Sequence, residues 1–284
     1  MAPVAEPGRP APAAGPDLAD PAELAELARS VALEAADLLM AGHATARVVQ
    51  TKSSPTDVVT EMDRAAEELI RRRILAARPG DDILGEEGGQ TGSGSAVRWI
   101  VDPLDGTVNY FYGLPDWSVS IAAEIAGTVV AGVVRAPLHR ATYTATLGGG
   151  AWLDSGWLAT PARLSCNSGV PLARALVATG FSYQAGQRAA QGAVVAQLLP
   201  RVRDIRRMGS AALDLCSLAV GRVDAYYESG VHDWDIAAGG LIAREAGATV
   251  AGFDGNEPGE AMTIAAGPGL FDELHDLLAS LASP

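Results

Sequence analysis

The segment 99–111, Trp-Ile-Val-Asp-Pro-Leu-Asp-Gly-Thr-Val-Asn-Tyr-Phe, constrains this chain more than any other. Three apolar residues that read as a strand run into two carboxylates, Asp102 and Asp105, held in a Pro/Gly turn where the strand should end. Carboxylates this close repel, and keeping both ionised is costly without a cation. Oxygen donors in a tight turn suit Mg²⁺, which takes one or two carboxylates and leaves positions for water and a substrate phosphate. The segment therefore points to metal-assisted phosphate chemistry.

The 284 residues suffice for one large domain or two closely packed halves, and a hydrophobic content of 48% can fill a sizeable core. A net charge of −13 argues against nucleic acid or an anionic membrane as the main partner. A small phosphorylated substrate stays compatible with it, because bound metal inverts the local charge. Cys166 and Cys216 form no Cys-x-x-Cys pair and read as reduced, buried thiols of a cytoplasmic protein. The first 17 residues hold five prolines and lack both a basic start and an apolar run. They read as a disordered tail rather than a secretory signal. No apolar stretch approaches the ~18 residues that a membrane span needs.

Asp20-Pro21-Ala22-Glu23 is a helix start, and Leu24, Leu27, Ala28, Val31, Ala35, Leu38 and Leu39 follow at helical spacing up to Gly42. A second helix runs from near Thr60 to Pro79-Gly80. Strands follow at 83–84, 99–101, 119–124, 128–134, 141–145 and 151–153, with Ala126-Gly127 closing a hairpin. Gly88 to Ser95, rich in Gly and Ser, is expected to be a mobile surface loop. Beyond residue 160, strands at 176–178, 205–208, 225–227 and 263–265 alternate with helices near 187–199, 211–220, 234–246 and 269–281. The expected organisation is a tail over 1–17, an α+β half over 18–158 and an α/β half over 159–284.

Four acidic sites stand where chain geometry is unusual: Asp63 at a helix start, Glu86-Glu87 after a strand ending in Gly85, the pair Asp102 and Asp105, and Asp235 at another helix start. Ligands gather outside strand ends and at helix N-termini. Each site has a plainer explanation. Asp63 fits the acidic member of a capping box with Thr60, Asp235 a first-turn carboxylate, and Glu86-Glu87 a solvated pair. Asp102-Pro-Leu-Asp105-Gly is harder to dismiss, since a turn needs one Asp rather than two. The four histidines are scattered, which weakens a Ser-His-Asp hydrolase reading.

Thr60 to Asp63, Gly85-Glu86-Glu87, Trp99 to Tyr110 and Trp234-Asp235, in this order, resemble the inositol monophosphatase family of Mg²⁺-dependent, lithium-sensitive phosphatases. Lys52-Ser53-Ser54-Pro55, Gly209-Ser210-Ala211-Ala212 and Tyr226-Tyr227-Glu228 extend the likeness. The resemblance implies an αβαβα layered sandwich, α+β in its first half and α/β in its second, of the type shared with fructose-1,6-bisphosphatases. It implies on the order of two to three Mg²⁺ ions. Glu86, Asp102 and the Leu104 carbonyl would hold the first. Asp102, Asp105 and Asp235 would hold the second, and Glu86 would reach a third through water. Asp63 would hydrogen-bond Thr107, and Thr107 with Glu86 would orient the attacking water. Gly106 and Thr107 would bind phosphate through backbone N–H groups. Gly209, Ser210, Ala211 and Glu228, beside Asp235, would meet the alcohol part of the substrate. The resemblance also implies a homodimer.

Val108-Asn109-Tyr110 after Asp-Gly-Thr is close to the pattern of inositol monophosphatases and some archaeal fructose-1,6-bisphosphatases, and Glu228 suits a polyol. The expected reaction is hydrolysis of myo-inositol 1-phosphate. Histidinol phosphate, fructose 1,6-bisphosphate and adenosine 3′,5′-bisphosphate are alternatives on the same machinery. A regulatory binding protein on the same fold is an alternative of another class. Asp116-Trp117 departs from the uncharged pair usual in the family, and this bears on substrate preference rather than on metal chemistry.

Overall fold

The computed structural model describes residues 19–43, 48–51, 58–92 and 94–282. The tail over 1–17 and the segment 52–55 lie outside the described residues.

In chain order the elements are α1 (Pro21–Gly42), β1 (Val48–Thr51), β2 (Val58–Thr60), α2 (Glu61–Ala77), β3 (Asp82–Gly85), β4 (Gly89–Thr91), β5 (Val97–Asp105), α3 (Thr107–Tyr112), β6 (Ser118–Ile125), β7 (Thr128–Ala136), β8 (Ala141–Thr146), β9 (Gly150–Ser155) and β10 (Ala162–Arg163). The second half adds β11 (Leu176–Thr179), α4 (Ala185–Leu198), β12 (Asp204–Arg206), α5 (Ala211–Ala219), β13 (Ala225–Glu228), α6 (Asp233–Glu245), β14 (Thr249–Ala251), β15 (Thr263–Ala266) and α7 (Phe271–Ala282). One sheet has eight strands in the order β10-β9-β8-β7-β6-β5-β3-β4, a second has five in the order β12-β11-β13-β15-β14, and β1 pairs with β2.

Four apolar seams make five layers of these elements. The first lies between α1/α2 and one face of the large sheet, with Ala28, Ile70, Trp99 and Ile121 buried in it. The second joins the other face to α5 and α6 through Ile100, Ala122, Cys216 and Ile242. The third seats α5 and α6 on the small sheet, and the fourth covers that sheet's outer face with α4 and α7. The order is therefore α, β, α, β, α, as the resemblance implied. Both Cys166 and Cys216 are buried free thiols.

Local chemistry accounts for the elements that carry the site. Asp20 caps α1 by accepting from the Ala22 N–H at 2.9 Å, with Pro21 next to it. Thr60 caps α2, and Asp63 closes the box by accepting from the Thr60 N–H at 2.8 Å. Ala126 and Gly127, at φ 49° and 82°, make the expected turn between β6 and β7.

Three expectations need correction. The strand carrying the two aspartates does not end at Val101: β5 continues to Asp105. Asp102 faces Ser120 and Asp105 faces Ser118, so three steps on β5 match two on β6. Pro103 has no N–H for the ladder, and the bulge absorbs it. The turn is thus a bulge inside a strand, with the Leu104 N–H folded back onto Asp102 Oδ1 at 2.9 Å. Gly88 to Ser95 is not all free loop. Gly89–Thr91 pairs antiparallel with β3, Arg71 grips both ends of this strand, and Asp82 Oδ2 accepts from the N–H groups of Gly94 and Ser95. Composition hid a strand held by partners distant in sequence. The strand expected at 205–208 ends at Arg206, where the chain turns toward Gly209. The large sheet also runs past residue 158, since β10 pairs with β9.

Candidate active site

Asp102 and Asp105, from β5, line a cavity of about 870 Å³. Glu86, Leu104, Gly106 and Thr107 line the same wall. Gly209, Ser210 and Ala211, entering α5, close one side, while Glu228 and Asp235 close another. The fold thus gathers every expected site residue into one place except Asp63, which lies behind Thr107 and is 1% exposed.

Asp63 makes both contacts weighed for it, to Thr60 and to Thr107. Its Oδ2 accepts from the Thr60 N–H and, at 2.5 Å, from the Thr60 hydroxyl, while Oδ1 accepts from the Thr107 hydroxyl at 2.8 Å. A capping carboxylate has two oxygens, and the helix end uses one. Thr107 Oγ1 also stands 3.1 Å from the Leu104 carbonyl. Asp235 is likewise a capping residue, with Oδ2 accepting from the His232 N–H at 2.6 Å.

Asp105 ties β5 to the start of α5. Its Oδ2 accepts from Ser210 Oγ at 2.6 Å and from the Ala212 N–H at 2.8 Å, at the start of α5. Gly106 follows at φ 93°, and a Cβ there would lie 2.8 Å from the Asp116 carbonyl and 3.3 Å from that of Gly209. Only glycine permits both this backbone shape and this approach.

The electrostatics are one-sided. Burial, then Glu86 and Asp105, push the Asp102 carboxyl well above the usual range. Burial and Glu86 do the same to Asp235. Burial raises Asp105 to about 6, against the pull of its Ser210 and Ala212 hydrogen bonds. Burial lifts Glu228 to about 7, while the Tyr226 hydroxyl, donating at 3.0 Å, restrains it. Neither Asp102 nor Asp105 pairs with a Lys or Arg among the described residues. Clustered oxygen donors without a cation fit a hard divalent metal. Among the described residues no three acidic, His or Cys side chains close a ready-made metal cage. An open wall of carboxylates suits Mg²⁺ better than such a cage, because Mg²⁺ retains waters and substrate oxygens.

Several supporting residues escaped sequence reasoning. Glu67, 3% exposed on α2, accepts from the Glu87 and Gly88 N–H groups at 2.7 and 2.8 Å and from Arg71 Nε at 2.7 Å. It shapes the turn that presents Glu86. Gly85 lacks a Cβ because Glu67 Oε1 occupies that space, 2.5 Å away. The signal was present: an acid at position 67 continues the buried stripe of Asp63, Ile70 and Ile74. Asn109, expected to report on substrate, does not line the cavity, nor does Val108. Asn109 is buried, and its Nδ2 donates to the carbonyls of Asp116 at 2.6 Å and Met208 at 2.7 Å. It braces the Gly106–Thr107 turn against the segment entering α5. Tyr110 is also support: its hydroxyl donates to the Leu39 carbonyl and its ring meets Trp117 edge-on. The 181–191 region lines the far side, with Gln191 bonded to Ser182 and Ser229.

A five-layer αβαβα sandwich, with a wall of carboxylates beside a glycine turn, defines a class of metal-dependent phosphatases. The chain belongs to the inositol monophosphatase family, whose model matches residues 20–283. It is 45% identical over 272 residues to the inositol-1-monophosphatase of Mycobacterium leprae, covering 90% of this chain and 93% of that protein. The solved structure of Mycobacterium tuberculosis SuhB superposes with a TM-score of 0.79 at 42% identity, over 93% of this chain and 98% of that one. A Pasteurella multocida protein named Nus factor SuhB is 44% identical over 207 residues, 72% of this chain and 75% of that protein. Among the described residues no helix is long and apolar enough to cross a membrane.

Proposed function

We propose that this protein is a cytoplasmic Mg²⁺-dependent phosphomonoesterase that hydrolyses myo-inositol 1-phosphate to inositol and phosphate. The observation that carries this reading is the convergence of Glu86, Asp102, Asp105 and Asp235 on one cavity beside the Gly106–Thr107 turn. Glu86, Asp102 and the Leu104 carbonyl would hold one ion; Asp102, Asp105 and Asp235 a second; Glu86, through water, a third. Bound Mg²⁺ supplies charge neutralisation and a more acidic water. The chain's own residues then position the reactants. Asp63 fixes the Thr107 hydroxyl, and Thr107 with Glu86 orients the attacking water. The Gly106 and Thr107 N–H groups stand at the start of α3, where helix geometry leaves them without intrahelical acceptors, and they receive phosphate oxygens. Ser210, Ala211 and Glu228 meet the alcohol. The exposed apolar run of Phe111, Tyr112 and Leu114 suits a homodimer face.

Purified protein should release phosphate from inositol 1-phosphate with Mg²⁺, lose this activity in EDTA and be inhibited by Li⁺. Higher kcat/KM on histidinol phosphate, fructose 1,6-bisphosphate or adenosine 3′,5′-bisphosphate would replace the substrate and leave the class intact. Relatives named Nus factor favour a second reading, a regulatory role on the same fold. Rescue of a deletion strain by a catalytically dead Asp105→Asn protein would support that second reading.

The same carboxylates predict a pH-dependent response to metal. Unfolded Asp and Glu titrate near about 3.9 and 4.3. The folded values of Asp105 and Glu228 are raised, to about 6 and about 7. The folded state therefore holds more protons, and the stability these groups contribute below their unfolded values is lost as pH rises through the folded ones. Added Mg²⁺ should raise Tm more at pH 8 than at pH 5. An equal gain at both pH values, or none, would refute the assignment of Asp105 to the metal.

A further inference from the structure

Arg207 is the one Lys or Arg that lines the cavity among the described residues. It lies between β12 and Gly209, with Nη1 2.5 Å from where a Cβ on Gly209 would stand. It makes no hydrogen bond or close ion pair to any described residue. Glu228, at the end of β13, lines the same cavity. Its Oε2 accepts from Tyr226, and a Cβ at Gly180 would collide with both of its oxygens, so the chain keeps that space for the carboxylate. Arg207 and Glu228 feel each other's charge but are not within ion-pairing distance.

A guanidinium and a carboxylate that share a cavity without touching offer donors on one side and an acceptor on the other. Two neighbouring hydroxyls satisfy both: one donates to the carboxylate, and the other accepts from the guanidinium. A second phosphate fits less well, because one cation would face it alongside Glu228 and Asp235. We propose that Arg207 is a specificity-determining residue that brackets, with Glu228, a vicinal diol on the alcohol part of the substrate. This rests on the phosphomonoesterase reading and extends it to the substrate's leaving group.

The test compares kcat and KM on inositol 1-phosphate, glycerol 1-phosphate, phenyl phosphate and fructose 1,6-bisphosphate for wild type, Arg207→Ala and Arg207→Lys, with melting curves to confirm folding. A lost charge-assisted hydrogen bond should lower selectivity for inositol 1-phosphate and glycerol 1-phosphate over phenyl phosphate about tenfold or more in Arg207→Ala, chiefly through KM. Arg207→Lys should recover part of this, since it keeps the charge but not the fork. Equal losses on diol substrates and phenyl phosphate, or none, would overturn the proposal. So would a loss confined to fructose 1,6-bisphosphate, which would mark a second phosphate site. An Arg207-dependent preference for glycerol 1-phosphate in a protein indifferent to inositol 1-phosphate would sustain this inference while refuting inositol as the substrate.

Discussion

Asp105→Asn is expected to reduce phosphatase turnover by on the order of a thousandfold or more, since it removes an anionic ligand that would hold the ion offsetting the phosphate charge. The fold should survive. Asn keeps an oxygen that can accept from Ser210 Oγ and the Ala212 N–H, the contacts joining β5 to α5. It also removes one of several crowded negative charges, because Glu86 stands near enough to raise the Asp105 carboxyl. Metal-free Asp105→Asn should therefore melt no lower than metal-free wild type at pH 8, and Mg²⁺ should raise its Tm less. The check is phosphate release together with melting curves with and without Mg²⁺. Retained turnover would refute the metal assignment, and a large drop in Tm without metal would show that the ionised carboxylate has a structural role instead.

Asp63→Asn separates a cap from an orienting group. Both carboxylate oxygens of Asp63 accept, Oδ2 from Thr60 and Oδ1 from Thr107. An amide has one acceptor oxygen, so its NH₂ must face one of those donors. Loss of the cap costs about 1 kcal/mol. On the proposed mechanism, loss of the fixed Thr107 hydroxyl would let the attacking water wander, and misplacement of that kind should lower kcat about a hundredfold. Thr107→Val should have a similar kcat effect with little change in KM. The double variant should be little worse than either single one, because both break one contact. Additive losses would mean that Asp63 and Thr107 act separately.

Much of this architecture was legible because its signals are local. Asp20-Pro21 and Thr60 with Asp63 announce helix starts through caps satisfied within three residues. Ala126-Gly127 announces a hairpin in the same way. The features that were missed depend on partners distant in the chain. Thr91 belongs to a strand because Ile83 and Arg71 hold it there. Asn109 looked like a substrate reporter beside Thr107, but the carbonyls that claim its amide belong to Asp116 and to Met208, 99 positions away. Glu67 went unremarked because the N–H groups that it holds belong to Glu87 and Gly88, 20 and 21 positions away.

By itself the sequence determined which oxygen donors exist and that two of them, Asp102 and Asp105, are bound into one short stretch around Pro103. Covalent spacing and the missing proline N–H are properties of the chain, present before any tertiary contact forms. Only the tertiary structure decided that Glu86, Asp235 and Glu228 join them, that Asp63 spends its second oxygen on Thr107, and that Arg207 and Glu228 line the same cavity. Those pairings arise where β5, α5, β13 and α6 meet between two sheets. Burial there makes each carboxylate costly to ionise, and thereby makes a cation and a phosphate its natural partners.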